Sequence, residues 1–465
     1  MILQKVKEKI IIVFGILLIF LMITILARFS TKNIIVDTLG ISNDFTNFIL
    51  QGMDTSDAVD EVTGELLVDI AWSELYPFES DSSTEKILEK NSVNNNTFQL
   101  AKKLLNTWNG AVKKLTGSLA QYCNEFLYKR IWYVENAYVY ENIIGWDILP
   151  YGGSEGIVNL EEGYLSYAMN EKDVEPLVER MMDFQQFLNQ ENIPLLYVQA
   201  PSKLSPEGEE LPAGVSDYSN DTIKKMVEGL EKAGIDTFNC TEWLMEQPEE
   251  YHDLFYKTDH HWTTETAFRI AGAMAEYLNE EYQFEFPLEY YKEDKYEIDY
   301  YEKWFLGSLG KKLTLAVVEP EDYQVYVPNF ETDFSIKIPE RNIDLTGSFK
   351  DVILDYRHLQ KKDYYGENMY ASFMNRNDAL GSITNNLAPT NKGKRILFIK
   401  DSYSTPVIPY LALGVEHIDS IYEQVFDGSI RTYIKETKPD MVVVMYAVNS
   451  VTGDGSSHIS FFNLE

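Results

Sequence analysis

Apolar residues fill the stretch from Ile10 to Ala27, 18 positions without a charge. That is near the minimum length that spans a bilayer as a helix. Lys5, Lys7 and Lys9 precede it, and Arg28 and Lys32 follow. The denser positive charge on the amino side predicts a cytoplasmic N-terminus and an exported remainder. A cleaved signal peptide is the alternative, with Ala27 at the cut. Its core would be long and Ile25 would stand where a small residue is expected, which favours an uncleaved anchor. From Arg28 to about residue 95 the pattern turns acidic and polar, as in Asp54-Thr55-Ser56-Asp57, and predicts partial order at best. Phe98, Leu100, Ala101, Leu104, Leu105 and Trp108 then recur at helical spacing within a region running to residue 140.

Beyond residue 145 the periods alternate between helix and strand. Val174, Leu177, Val178, Met181, Met182, Phe184 and Leu188 mark a helix over Asp173 to Asn192. Pro194 to Val198 reads as a short buried strand, Asp221 to Ala233 as a helix and Ile235 to Phe238 as a strand. Thr263 or Thr264 caps a helix running to Tyr282. Residues 283–390 break the alternation with tyrosines, acidic residues and two stretches of strand period, Tyr323 to Val327 and Phe334 to Ile338. These predict a β-rich insertion between two halves of one core. The alternation resumes with strands at Ile396 to Ile399, His417 to Tyr422 and Met441 to Met445. Helices are expected at Tyr403 to Leu413, where Pro406 and Pro409 blur the limits, and at Ser429 to Glu436. Continuous β-branched strands separated by helices predict an α/β fold, a parallel sheet with helices on both faces.

The charge changes what such a chain can bind. Forty Lys and Arg against 73 Asp and Glu leave a net charge of -33, a surface that repels nucleic acid. Cys123 and Cys240 are far apart and lack metal-ligand spacing, so they read as two buried thiols. No cofactor is implied.

Polar chemistry clusters where parallel strands end, the place where such sheets carry their sites. Four segments meet that condition: Gln199 to Lys203, Thr258 to His261, Lys400 to Ser402 and Asn449-Ser450. Ser402 follows a buried strand and starts a predicted helix, so it is the candidate nucleophile, with its own N–H and the helix end as anion donors. A helix N-cap serine has the same sequence signature. Asp259-His260-His261-Trp262 holds two of the six histidines. His261 is the candidate base and Asp259 its orienter. In extended backbone His260 would point the other way. Asp-His-His is also a possible metal set, but no further ligands complete a shell, so no metal is expected. Asn449 and Gly428 are oxyanion-hole candidates. Trp262, Tyr256 and Lys203 are substrate-binding candidates.

Tyr256-Lys257-Thr258-Asp259-His260-His261-Trp262-Thr263 resembles the signature of the bacterial DHHW protein family and the Asp-x-His-Trp segment of the alginate O-acetyltransferase-type branch of SGNH hydrolase-like proteins. In that branch the Asp/His segment precedes the Ser segment, as here. Phe398-Ile399-Lys400-Asp401-Ser402 resembles the Gly-Asp-Ser block, with Lys400 in place of Gly. Pro439 to Asn449 resembles the block ending in Asn. The resemblance covers about residues 150 to 460. It implies an SGNH/flavodoxin-like fold over 146–465 with the insertion 283–390; the hydropathy pattern sets ahead of it 1–28 as cytoplasmic tip and anchor and 29–145 as a juxtamembrane and helical region. The resemblance further implies a membrane-anchored extracellular serine O-acetyltransferase or acetylesterase, with a Ser402-His261-Asp259 triad and an acyl-enzyme. The substrate would be an exopolysaccharide or cell-envelope glycan, with a multi-pass membrane acyltransferase supplying acetyl groups. Two other readings stay open. One is a non-catalytic glycan-binding envelope protein using the aromatics of the insertion. The other is a metal-dependent phosphoesterase.

Overall fold

The structure, a computed structural model, describes residues 148–150 and 156–465 except 210, 213, 316–317, 375 and 453–460. The predicted anchor, the 29–145 region and Cys123 lie outside the described residues, and among those residues no helix is long and apolar enough to cross a membrane.

The chain enters through a small antiparallel sheet of β1 (Ile148–Pro150), β2 (Gly156–Asn159) and β3 (Leu165–Tyr167). There follow α1 (Glu175–Glu191), β4 (Leu195–Gln199), α2 (Ser219–Lys232), β5 (Asp236–Asn239), α3 (Cys240–Met245) and α4 (Thr264–Tyr282). The former insertion region holds β6 (Tyr296–Phe305), α5 (Ser308–Leu313), β7 (Glu321–Pro328), β8 (Phe334–Ile338), β9 (Ile343–Gly347) and β10 (Leu380–Asn385). β11 (Arg395–Lys400), α6 (Val407–Leu411), β12 (His417–Tyr422), α7 (Ile430–Thr437), β13 (Met441–Tyr446) and α8 (Val448–Thr452) complete it.

Eight strands form the main sheet in the order β5-β4-β13-β11-β12-β10-β8-β9. It is parallel from β5 to β12 and antiparallel beyond. The expectation of a parallel sheet therefore holds for its central part. The 283–390 segment adds three antiparallel strands to the same sheet and does not stand apart as an insertion. Only β6 and β7 pair by themselves, as a hairpin.

Strand alternation explains the two-faced core. Leu196, Val198, Ile396, Phe398, Val443 and Met445 pack on one face with α4 and α6. Their neighbours Leu195, Tyr197, Leu397, Ile399, Val442 and Val444 pack on the other with α1, α2 and α7. A strand covered on both faces needs apolar residues at every position, which is why Met441–Tyr446 is apolar and buried throughout. α4 starts where the Thr263 hydroxyl accepts the Thr266 N–H at 3.1 Å, and buries Ala267, Phe268, Ile270, Ala271, Met274, Ala275 and Leu278. Three tyrosines of the hairpin, Tyr296, Tyr323 and Tyr326, serve this core, while Tyr300 is exposed. Tyr323 and Tyr326 are buried, and Tyr326 stacks on Phe268. They are not free to stack on sugars. Cys240 is a buried free thiol.

The helix expected at Tyr403 to Leu413 is broken. A 3-10 turn, Ser402–Ser404, precedes α6, and another, Ala412–Gly414, follows it. Pro406 supplies no N–H to a continuous ladder and stands instead at the cap of α6.

Candidate active site

The registers of β4, β13 and β11 place Gln199, Tyr446 and Lys400 at one edge of the sheet. The segments that follow, 200–203, 447–450 and 401–404, therefore meet there. The fourth segment, 258–261, arrives from the loop before α4. Four buried carbonyls tie it in place by accepting hydrogen bonds from one amine. The three N–H donors of Lys203 Nζ are shared among Leu165 O at 2.6 Å, Tyr256 O at 2.5 Å, Lys257 O at 3.0 Å and Asp259 O at 2.9 Å. Burial lowers the pKa of this ammonium, while the Glu321 and Asp259 carboxylates pull it back up. Lys203 borders a cleft beside the site, but its donors are spent inside the protein.

Asp259, His261 and Ser402 form a continuous relay. Asp259 Oδ1 lies 2.6 Å from His261 Nδ1, and His261 Nε2 lies 2.7 Å from Ser402 Oγ. Asp259 Oδ1 also accepts the His261 N–H at 3.1 Å, and Oδ2 accepts the Ser308 N–H at 2.6 Å. Burial opposes the Asp259 charge, but His261, His260 and these donors hold its pKa well below the ordinary carboxylate value. The carboxylate can only accept, so His261 Nδ1 carries a proton and Nε2 presents its lone pair to the serine. Ser402 is half-buried, and its backbone N–H has no partner among the described residues.

Asp401, not Ser402, is the N-cap of the turn. Its Oδ1 accepts the Tyr403 N–H at 3.0 Å, and its Oδ2 accepts the Ala447 N–H and, at 2.6 Å, the Ser450 hydroxyl. Asp401 thereby locks the serine turn to the segment after β13 and leaves the Ser402 hydroxyl free for His261. The single 3-10 turn lacks the aligned peptides of a long helix, so little dipole reaches Ser402.

The remaining candidates fall in several places. Asn449 is half-buried in α8 and lines a narrow cleft beside the relay with Ser202, His260 and Tyr403. Gly428 sits in an exposed turn where a Cβ would meet Phe426; no contact links it to Ser402. Trp262 is fully buried, with Nε1 donating to Tyr403 O at 3.2 Å. Tyr256 is buried against Phe305 and Tyr323, its hydroxyl 3.1 Å from Thr264 Oγ1. Both aromatics frame the site from inside and do not line the cleft.

His260 corrects the sequence reading. The backbone over 257–261 bends and is not extended, so both rings lie together, their centroids 3.9 Å apart. His260 Nδ1 is 3.0 Å from Ser308 Oγ and 3.3 Å from Asp259 Oδ1. Asp259, His260 and His261 have ligand atoms within 4.8 Å of one another, a possible metal set. Both oxygens of Asp259 accept protein donors and His261 Nε2 faces Ser402, so two of the three members are engaged in hydrogen bonds.

Sequence reasoning missed the segment that holds Asp259. Gly307 approaches so closely that a Cβ would lie 2.4 Å from Asp259 Cβ and 2.5 Å from Thr258 O. Gly307 N–H donates to Thr258 Oγ1 and Gly310 N–H to Thr258 O, both at 2.8 Å. Glu321 accepts the N–H groups of Lys257 at 2.6 Å and Thr258 at 2.7 Å. The signal was the Gly307-Ser308-Leu309-Gly310 run. Tyr370 was also missed. It lies face to face with His261, centroids 4.0 Å apart, and its buried hydroxyl has no partner among the described residues.

A family model described as "SGNH hydrolase-like domain, acetyltransferase AlgX" matches residues 160–332. Over that span, a little over a third of its length, the chain is similar to an SGNH hydrolase-like domain. The matched span holds Asp259, His261 and Ser308 but ends before Ser402, which only the sheet brings to this SGNH-like site. No curated protein sequence matches the chain. Among solved structures, PatB1 of Bacillus cereus is similar at 19% identity and TM-score 0.54, covering 67% of this chain and 100% of that one. PatB1 with a sulfonyl adduct gives 18%, 0.52, 65% and 97%. A DHHW family protein from Eubacterium siraeum gives 16%, 0.51, 67% and 95%. At these identities the likeness is one of fold. It agrees with the SGNH-like sheet described above.

Proposed function

We propose that this chain is a serine O-acetyltransferase or acetylesterase acting on an exopolysaccharide or cell-envelope glycan. The observation that carries the proposal is the unbroken relay Asp259–His261–Ser402, with hydrogen bonds of 2.6 and 2.7 Å. The acetyltransferase named in the matching family model supports the same reading. Ser402 Oγ attacks the carbonyl carbon of an acetyl ester and gives its proton to His261 Nε2. The leaving oxygen takes that proton as its bond to the acyl carbon breaks. Asp259 stabilises the imidazolium in between. The Ser402 N–H and the Asn449 amide are the candidate donors to the oxyanion. A sugar hydroxyl, or water in the esterase, then attacks the acyl-enzyme, loses its proton to His261 and restores Ser402.

The uncharged run from Ile10 to Ala27 supports a single-pass anchor with the domain outside the cell. That placement in turn supports a glycan polymer as acceptor and a multi-pass membrane acyltransferase as acetyl donor. The test is acetate release from p-nitrophenyl acetate by the detergent-solubilised chain, with mass spectrometry of the intact protein. A Ser402-dependent gain of one acetyl group is expected. Equal background rates in the wild type and Ser402→Ala would remove the reading.

A further inference from the structure

His260 is the feature the relay leaves unused. Its imidazole is a quarter exposed and borders the cleft with Ser166, Ser202, Tyr403 and Asn449. Its carbonyl accepts the Tyr403 hydroxyl, so the residue is fixed from the backbone as well as through the ring. Nδ1 faces Ser308 Oγ at 3.0 Å and Asp259 Oδ1 at 3.3 Å. A carboxylate only accepts, so the Nδ1 side carries the proton and Nε2 keeps its lone pair. Nε2 has no hydrogen-bond partner among the described residues. Burial, opposed by the Asp259 carboxylate, lowers the His260 pKa to about 3, which keeps the ring neutral. The ring centroid is 3.9 Å from that of His261, whose Nε2 serves Ser402. A bare imidazole acceptor therefore stands one ring away from the general base, at the edge of the cleft.

We propose that His260 Nε2 binds a second hydroxyl of the acceptor, the one next to the hydroxyl that attacks the acyl-enzyme, so that the site selects vicinal diols such as sugars over simple alcohols. The assignment rests on the acyl-transfer reading above and deepens it. The proton balance requires two hydroxyls. The attacking hydroxyl must give its only proton to His261 as its oxygen bonds to the acyl carbon and the bond to Ser402 Oγ breaks. It cannot donate to His260 at the same time. A neighbouring hydroxyl can, and its hydrogen bond to His260 fixes the orientation of the attacking oxygen.

The experiment uses the full-length chain in detergent, p-nitrophenyl acetate as donor, and ethylene glycol or 2-methoxyethanol as acceptor at equal concentration. Ester products are quantified by gas chromatography, with Ser402→Ala as blank. After correction for its two hydroxyls, ethylene glycol should be preferred by about fivefold, the value of one neutral hydrogen bond. 2-Methoxyethanol has the same chain but no second donor. His260→Phe keeps a ring against His261 and should bring the preference to about one. His260→Asn, which reaches Ser308 but not the cleft, should do the same. His260→Gln, which places an oxygen near the Nε2 position, should restore it. An unchanged preference in His260→Phe or His260→Asn, or no preference in the wild type, would overturn the proposal alone. No Ser402-dependent ester with either alcohol would bring down the acyl-transfer reading and this proposal with it.

Discussion

Gly307→Ala tests whether the segment after β6 holds the proposed relay together. The substitution is small and lies outside the relay, yet its Cβ has nowhere to go. It would stand 2.4 Å from Asp259 Cβ, 2.5 Å from Thr258 O and 2.6 Å from Asp259 N. Two of these atoms are backbone and cannot rotate away, so residues 258–259 or 307–308 must move. Overpacking of this kind costs about 1–3 kcal/mol in stability. The movement also lengthens the 2.6 Å bond from Ser308 N–H to Asp259 Oδ2. A hydrogen bond to a charged acceptor contributes about 1.5–3 kcal/mol. If that bond orients Asp259 in the transition state, its loss lowers kcat/KM by roughly 10- to 150-fold at about 1.4 kcal/mol per decade. Gly310→Ala is the graded comparison. Its Cβ meets the Leu306 Cδ1 at 2.7 Å, the far end of a flexible side chain, and Thr258 Cβ at 2.8 Å, so a smaller loss is expected. The assay is p-nitrophenyl acetate turnover well below the melting temperature of each variant, with circular dichroism to confirm folding. A folded Gly307→Ala protein with wild-type kcat/KM would refute the argument that this contact positions Asp259.

Two further outcomes are expected. Asp259 has a depressed pKa in the folded state, so its stabilising contribution is present above the unfolded value of about 3.9 and lost as pH falls through the folded one. Asp259→Asn should therefore show a shallower fall of Tm between about pH 5 and pH 2 than the wild type; superimposable slopes would contradict the assignment. Glu423 is buried and accepts the Phe462 N–H at 2.8 Å, the Leu464 N–H at 2.6 Å and the Tyr446 hydroxyl. Glu423→Leu strands those donors at about 1–3 kcal/mol each, not additively. Amide exchange at Phe462 and Leu464 should accelerate well before global unfolding, and unchanged protection there would show that the tail is held by Phe462 and Leu464 packing alone.

The elements that could be read in advance were those whose pattern is local. α1, α4, β11, β12 and β13 announce themselves because a helix facing a core repeats near 3.6 residues and a strand buried twice is apolar throughout. The Asp-His segment was legible because two adjacent histidines behind an Asp are an uncommon packing choice, whereas Ser402 shares its local signature with a helix N-cap. Legibility stopped where partners are distant or generic. His260 was assigned away from the site on the assumption of extended backbone, and a bend at 257–261 reversed that. Lys203 looked like a cleft residue, but its amine is consumed by carbonyls that any residue carries. Trp262 and Tyr256 were placed correctly in sequence beside the site, yet burial against Tyr403, Phe305 and Tyr323 turns them inward.

The sequence alone therefore determined the alternating α/β core and the residue types available for the chemistry, because both are written in local spacing. The tertiary structure decided which of those residues meet. The sequence separation of 141 between His261 and Ser402 is closed to one hydrogen bond only when parallel pairing sets β11 beside β13 and the Gly307 segment seats Asp259. Register and backbone donors achieve that closure, and neither leaves a side-chain signature that a single chain can display.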